Sequence, residues 1–392
     1  VFPTKALTQD QRRNLVQLIP NQAAKIAIYD GDTPQYQRAA IRRDARVLLT
    51  NPDMIHQGLL PYHPSWSQFF ENLKFVILDE AHVYKGVFGS HTANVLRRMV
   101  RVQKHYARTE NAPQFILCTA TLSNAKQLAE KLIGDKVEEF SNDTSGNGLR
   151  KICFLNPPVI DEKLHVRAGS IYTAAKVTEI LGTKNHQVLL FSQSRQSVET
   201  AVRRLREIGI DADGYRSGYL PRERHAIEHG LKQGISQCVV ATNALELGMD
   251  IGGMDNIISI GYPGSIASFY QRMGRAGRNH QSANFVMIAS QNPIDQYLMR
   301  HPEYITDRKS EPALIDPDNL LILYQHLQCA LFEVPFSFKE AFGSLSVEET
   351  QQILELFCAN GIAQKSSDHY YWVDSGTPQR SISLRNSDLN RI

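Results

Sequence analysis

The sequence predicts an α/β protein with two parallel-sheet domains and a small helix-and-hairpin region after them. Three observations predict it. Six short runs are dense in bulky apolar residues without polar alternation: KFVILDE (74–80), QFILCTA (114–120), QVLLFSQ (187–193), QCVVATN (237–243), NIISIGY (256–262) and NFVMIAS (284–290). Each reads as a strand buried on both faces, as in a parallel sheet covered by helices. Helical patterns lie between the runs, and the strand–helix rhythm breaks once and restarts near residue 150.

The first domain is placed at 1–140. Within it, HTANVLRRMVRVQKHY reads as a helix with Val95, Leu96, Met99, Val100 and Val102 inward. Arg97, Arg98, Arg101 and Lys104 then face outward, as a basic face that is solvated or, as the alternative, touches DNA. The stretch EEFSNDTSGNGLRK is polar and without periodicity, which sets a linker at 141–150. The second domain, 151–305, contains QSVETAVRRLREIG. There Val198, Ala201, Val202, Leu205 and Ile208 form one apolar stripe, and Gly209 supplies the stop. The last region is 306–392. Its VEETQQILELFCANGIAQKSSDHYYWV reads as an amphipathic helix, a stop at Gly361 and two short strands around SSDH. That pattern fits the last helix and hairpin of a winged helix, and nearly as well a plain helix–hairpin appendage.

Composition narrows the class. The chain is 42% apolar and 21% charged, ordinary for a globular protein. No apolar run approaches the roughly 20 residues that span a bilayer, and no secretory leader is present, so no membrane role is expected. The five cysteines include no Cys-x-x-Cys pair, which argues against a disulfide framework or a zinc knuckle and fits a reducing cytoplasm. A net charge of +3 confines any nucleic-acid footprint to local patches. The opening VFPTKAL lacks a starting Met, so residue 1 is not expected to be a natural N-terminus.

Four segments carry chemistry. VILDEAH (76–82) ends an apolar strand in two carboxylates, which suits phosphoryl transfer. Asp79 would hold Mg²⁺ through water, and Glu80 would orient and deprotonate the attacking water. A strand that merely stops in polar residues would read the same. QRMGRAGR (271–278) spaces Arg275 and Arg278 three apart on a glycine-softened backbone, which suits a γ-phosphate or a grip on nucleic-acid backbone. In ATNALELGMDIG (241–252), Thr242 could bond a nucleic-acid phosphate, Gly248 permits a tight turn and Asp250 could bind a ribose hydroxyl. CTATLSN (118–124) puts Thr119 and Thr121 at a strand end, where they could relay between ATP and nucleic acid or simply cap the next helix. No Gly-Lys pair occurs in the chain, so the usual phosphate-cradling loop is not within it.

In their order, these segments resemble the superfamily 2 helicases. PTKAL (3–7) resembles motif Ia, TNPDMIH (50–56) motif Ic, DEAH motif II, TAT (119–121) motif III and LLFSQSR (189–195) motif IV. ATNALELGMDIG resembles motif V and QRMGRAGR motif VI. DEAHVYKGVFGSH, GYPGSIASFYQRMGRAGR and NPIDQYLMRHPE are most similar to one branch, the bacterial mitomycin-repair DNA helicases and their fungal RecQ-like relatives. The resemblance implies two RecA-like domains and a winged helix. It also implies 3′-to-5′ unwinding in DNA repair, using ATP and Mg²⁺ on single-stranded or partly duplex DNA.

The resemblance assigns residues as well. Asp79, Glu80, Gln271, Arg275 and Arg278 would be catalytic, the last three reaching the nucleotide across the cleft. His82, Gly248 and Asp250 would bind nucleotide, and Thr119 and Thr121 would couple the sites. Pro3, Thr4, Lys5, Thr50 and Asn51 would grip the strand from the first domain, and Ser192, Arg195 and Thr242 from the second. Two departures stand out. The family's Walker A loop precedes motif Ia, and its four-cysteine zinc domain lies near the C-terminus; residues 1–392 contain neither. No zinc is therefore expected in this chain, and alone it is expected to hydrolyse almost no ATP. Gln271 stands where many relatives carry His, and it can still donate to a phosphate. An RNA helicase and a non-catalytic nucleic-acid-binding module stay open as alternatives. A cytoplasmic, nucleoid-associated monomer is expected.

Overall fold

The computed structural model describes residues 1–392 apart from 109–111, 121, 143–149, 165, 183–185, 217, 247–250, 278–282 and 387–392. All six apolar runs form strands: Phe75–Leu78, Gln114–Leu117, Val188–Phe191, Cys238–Ala241, Asn256–Ile260 and Ala283–Ile288. The chain divides into two compact units. One comprises Val1–Ala120, Asn124–Phe140 and Pro312–Ile392; the other comprises Ser141–Glu311 with the short segment 121–123. No helix among the described residues is long and apolar enough to cross a membrane.

The second unit is a six-stranded parallel sheet. Its order is Arg150–Leu155, Ala283–Ile288, Asn256–Ile260, Val188–Phe191, Cys238–Ala241 and Asp213–Tyr215. The three central strands are buried at every residue. Helices Ser170–Leu181 and Arg195–Glu207 pack on the sheet through Ala174, Val198, Val202 and Leu205, closing one apolar core. Ser194 caps the second of these helices by accepting from the Ser197 amide.

In the first unit, Ile26–Ile28 pairs in parallel with Val47–Leu49, and Phe75–Leu78 with Gln114–Leu117. Val1 and Phe2 stitch the two pairs together. The Val1 amino group donates to the Ile77 carbonyl (2.6 Å), the Asp79 amide donates to the Val1 carbonyl (3.1 Å), and the Phe2 amide donates to the Thr50 carbonyl (2.9 Å). Burial corrects one expectation here. Phe75–Leu78 is not buried on both faces: Val76 and Leu78 are, but Phe75 is 57% and Ile77 49% exposed. Ile116 on the partner strand is 40% exposed. The run is apolar throughout, yet only one face is covered within the described residues.

The C-terminal region has the winged-helix arrangement: helices Leu320–Glu333 and Val347–Ala359 with a three-stranded antiparallel sheet ordered Phe336–Ser337, His369–Trp372, Ala363–Ser366. Leu323, Leu327, Phe336, Leu354, Phe357 and Tyr370 form its core. A reciprocal Ser346–Glu349 capping box starts the second helix. Gly361 follows its end at φ +71°, a left-handed conformation that suits glycine.

Although it follows the second unit in sequence, this region belongs to the first unit in space. Helix Leu320–Glu333 packs on helix Gly86–Tyr106. That overturns the solvated reading of the basic face. Arg97 bridges Asp318 at 2.7 Å. Arg101 bridges Glu340 at 2.6 Å and donates to the carbonyls of Ala330, Val334 and Pro335. Arg98 is fully buried against Glu333. Helical periodicity sorts polar from apolar positions, but it cannot show that a polar face will meet acids more than 200 residues away.

Arg98 is satisfied on every side. Its Nε and Nη2 form a fork on the Glu333 carboxylate, and Nη1 donates to Nδ1 of His56 (2.9 Å) and of His326 (3.1 Å). Those donations fix both tautomers, because each Nδ1 must accept. The His326 Nε2–H then donates to His91 Nδ1 at 3.0 Å. Gln379 donates to Glu333 from the far side at 3.0 Å. Burial, then the Arg98 charge, holds His56 down to about 2, and burial holds His91 down to about 4. His326 is lowered well below the usual range by burial and Arg98.

Two outcomes follow from this network. Arg98→Ala leaves the Glu333 carboxylate buried and uncompensated, so it should cost about 3–5 kcal/mol, whereas the apolar pair Arg98→Met with Glu333→Leu should recover most of that loss. Urea unfolding of the three proteins checks this, and a single variant as stable as wild type would contradict it. The histidines set a pH dependence with a definite sign. Their folded pKa values are lowered, so below about 6.5 the unfolded chain binds more protons, and stability falls as pH drops from about 6.5 towards 4. Each histidine contributes a slope of up to about 1.4 kcal/mol per pH unit. His326→Gln should flatten the urea-midpoint profile across that window.

Candidate nucleotide site and nucleic-acid interface

Asp79 and Glu80 follow strand Phe75–Leu78 directly, and both are half-buried. Glu80 has φ +51°, one of two non-glycine residues with positive φ among those described. Such a conformation costs free energy and persists where the surroundings over-determine it. Here they do. The Glu80 amide donates to Asp79 Oδ1 (2.9 Å), and the next amide, of Ala81, donates to the Cys118 carbonyl (2.8 Å). Cys118 in turn donates to the Leu78 carbonyl at 2.9 Å. The ends of the two strands are thus tied, which brings Thr119 beside the acids. The Thr119 hydroxyl is buried and has no hydrogen-bond partner among the described residues.

His82 is buried, with Nδ1 3.3 Å from the Glu80 carboxylate. Burial, then the nearby Lys85 charge, pushes its pKa down to about 4, so near neutral pH the imidazole is uncharged. The carboxylate set at this strand end, with one Asp79 oxygen engaged by the backbone among the described residues, fits the oxygen preference of Mg²⁺. No group of three or more His, Cys, Asp or Glu among the described residues could hold a metal by itself.

The predicted strand-gripping residues of the first unit separate. Pro3, Lys5 and Asn51 line one groove of about 830 Å³. Thr4 and Thr50 do not line it. Thr4 caps helix Lys5–Leu18 by accepting from the Leu7 amide, and the Thr50 hydroxyl donates to the Tyr29 carbonyl at 2.7 Å. Asn51 also caps, accepting from the Met54 amide at 2.8 Å.

In the second unit, Ser192 and Thr242 stand at the carboxyl ends of adjacent paired strands, and both are buried. The Ser192 hydroxyl donates to Ser197 at 2.6 Å. Arg195 is exposed on the first turn of helix Arg195–Glu207. Gln271 is half-buried on helix Ile266–Met273. Beyond that helix the backbone is zipped to the segment before Asp255: the Met254 amide donates to the Arg275 carbonyl (2.8 Å) and the Gly277 amide to the Met254 carbonyl (2.9 Å). Gly277 has φ +96°, which suits glycine. Arg275 donates to the Glu246 carbonyl at 2.9 Å. Thr121, Gly248, Asp250 and Arg278 lie outside the described residues.

Arg272 was not among the predicted site residues. It is 3% exposed, bonded to Glu246 (3.1 Å) and to the Ser259 hydroxyl (3.0 Å), and packed over the Phe191 ring. It therefore joins ATNALELGMDIG to QRMGRAGR from beneath. Helical spacing carried the signal: Ile266, Phe269 and Arg272 recur every three residues, and all three are buried.

With this geometry in hand, comparison with known proteins is informative. The profile described as DEAD/DEAH box helicase matches residues 1–128, and that of the helicase conserved C-terminal domain matches 173–280. The winged-helix domain profile of the ATP-dependent helicase HRQ1 matches 315–387. The chain thus carries the DEAD/DEAH box helicase and helicase C-terminal domains, followed by a winged helix. Among similar proteins is an uncharacterized ATP-dependent helicase, YprA of Bacillus subtilis, 40% identical over 400 residues, covering 100% of this chain and 53% of the relative. The ATP-dependent helicase HRQ1 of Saccharomyces cerevisiae is 38% identical over 357 residues, covering 86% and 33%. The crystal structure of the DUF1998 helicase MrfA bound to DNA superposes with a TM-score of 0.91 at 41% identity, covering 98% of this chain and 52% of that one. The chain thus spans about half the length of YprA and MrfA, and a third of HRQ1. The HRQ1 profile decides for the winged helix over a plain appendage.

Arg272→Ala should destabilise the second unit by about 3–5 kcal/mol, because it strands the buried Glu246 carboxylate. Arg272→Lys should rescue only part, since an ammonium lacks the planar fork. Thermal unfolding checks the order, and a lysine variant equal to wild type would contradict it.

Proposed function

We propose that this chain is the motor region of an ATP-dependent DNA helicase that moves 3′ to 5′ along a single strand and serves DNA repair. The observation that carries the reading is the Asp79–Glu80 pair, held at a strand end with Glu80 in a left-handed conformation. The likeness to a helicase solved with DNA supports the choice of polymer.

In this reading the reaction is attack of water on the γ-phosphorus of ATP. The water oxygen bonds phosphorus, the β–γ bridging P–O bond breaks, and Glu80 takes the water's proton. His82, uncharged near neutral pH and 3.3 Å from the Glu80 carboxylate, is assigned to the nucleotide. Asp79 would hold Mg²⁺ through water, and Mg²⁺ supplies charge neutralisation at the phosphates. Gln271, Arg275 and Arg278 are assigned to the γ-phosphate, and Gly248 and Asp250 to the nucleoside. Thr119 and Thr121 are assigned to coupling; the unpartnered Thr119 hydroxyl beside the acids supports that role. Lys5, with Pro3, Thr4, Thr50 and Asn51, and Ser192, Arg195 and Thr242 grip backbone, so sequence preference is slight. Residues 1–392 contain no Gly-Lys-Ser or Gly-Lys-Thr, so no residue among them is assigned to a phosphate-cradling loop. The domain limits 1–140, 151–305 and 306–392, a monomeric state and a cytoplasmic, nucleoid-associated location belong to the same reading.

In the whole protein, Glu80→Gln should lower strand-stimulated ATP hydrolysis by about 10²–10⁴-fold while ATP and strand binding persist. Hydrolysis near the wild-type rate would remove Glu80 from its role. Matched DNA and RNA oligonucleotides test the polymer: greater stimulation by RNA would replace the DNA reading, and no ATP binding would leave a nucleic-acid-binding module.

A further inference from the structure

The last described stretch of the chain belongs to none of the helicase segments read from the sequence, yet it reaches the strand groove. Residues 378–386 leave the winged helix as a strap across the first unit. Its Pro378–Ser381 turn packs on the Ile55–Leu59 turn, which continues from Asn51. Gln379, Ile382 and Leu384 are buried beneath it, while Arg380 and Arg385 are exposed. Arg385 is held by Asp53 at 2.9 Å and lies 4.2 Å over the Phe88 ring.

Both walls of the groove hang on the same buried pair. His56, in the turn beside Asn51, accepts from Arg98, and Gln379, beside Arg380, donates to Glu333. The groove's lining carries five cations, Lys5, Arg38, Arg42, Arg380 and Arg385, against the single carboxylate of Asp53. Lys5 is paired with Asp32, and Arg38 donates to the Thr33 carbonyl. The guanidinium groups of Arg42 and Arg380 make no hydrogen bond or ion pair among the described residues. Tyr62 adds a half-exposed ring to the lining. Unpaired guanidiniums, a basic trough and an open aromatic ring match a single nucleic-acid strand: the first two suit its phosphates, the ring one of its bases.

We propose that the 378–386 strap is the second wall of the single-strand groove, with Arg380 and Arg42 as phosphate ligands and Tyr62 as a stacking platform. This rests on the nucleic-acid reading above and extends the strand path beyond the helicase segments, onto the winged-helix tail.

The test is fluorescence anisotropy of a labelled oligothymidylate of about a dozen nucleotides, titrated with the full chain at several salt concentrations. Arg380→Ala should weaken binding and reduce the slope of log affinity against log salt by about 0.7, the loss of one phosphate contact on a single strand. Arg380→Lys should restore the slope, which a merely misfolded strap would not permit. Tyr62→Ala should weaken binding about 5- to 100-fold and leave the slope unchanged. If wild type binds and Arg380→Ala keeps both affinity and slope, the strap is not a wall and the proposal falls. If wild type binds no strand at any salt concentration, the underlying nucleic-acid reading falls first.

Discussion

The first unit is organised around one buried ion pair. Arg98 and Glu333 come from helices 235 residues apart in the chain, and each is enclosed by groups that use its remaining hydrogen-bonding capacity. Removing two charges from water is costly, and attraction alone rarely offsets it. What makes the pair tolerable is complete satisfaction: a fork on the carboxylate, two imidazoles on the guanidinium and an amide from the strap. An apolar contact between the same helices would slide. The fork, the tautomers it dictates and the amide admit one register, so the winged helix docks in one position.

The parallel strands of the two units show how similar sequence leads to different surroundings. Runs of equal hydrophobicity are buried on both faces in the second unit and on one face in the first. Burial on both faces is a property of what packs against a strand, not of the strand itself. The second unit brings its own helices to both sides, so its strands read correctly from composition. In the first unit the described residues cover one side only, and Phe75 and Ile77 remain open.

Much of the fold was legible because apolar runs without alternation have few other uses in a chain of this composition. Strands at 26–28, 47–49 and 213–215 were not, since three residues are too few to show a period. The strand Arg150–Leu155 begins with two cations at a sheet edge and was taken for linker at its first residue. At the candidate site, Asp79 and Glu80 were legible as a strand ending in acids. The backbone conformation of Glu80 was not, because nothing local distinguishes it. Arg272 could have been found by extending the helical period of Ile266 and Phe269. The docking role of Arg97, Arg98 and Arg101 was beyond any local window, because their partners lie across the whole second unit.

That separation has a consequence for synthesis. A ribosome adds about 5–20 residues per second, so roughly 10–50 s pass between the emergence of Arg98 and that of Glu333. In that interval the second unit is made in full, while one side of helix Gly86–Tyr106 waits without its partner. A waiting face of leucines would recruit other nascent chains. A waiting face of arginines is hydrated and repels its own kind, and it gives up its water only when acids of matching geometry arrive. The charge that is costly in the finished protein protects the unfinished one.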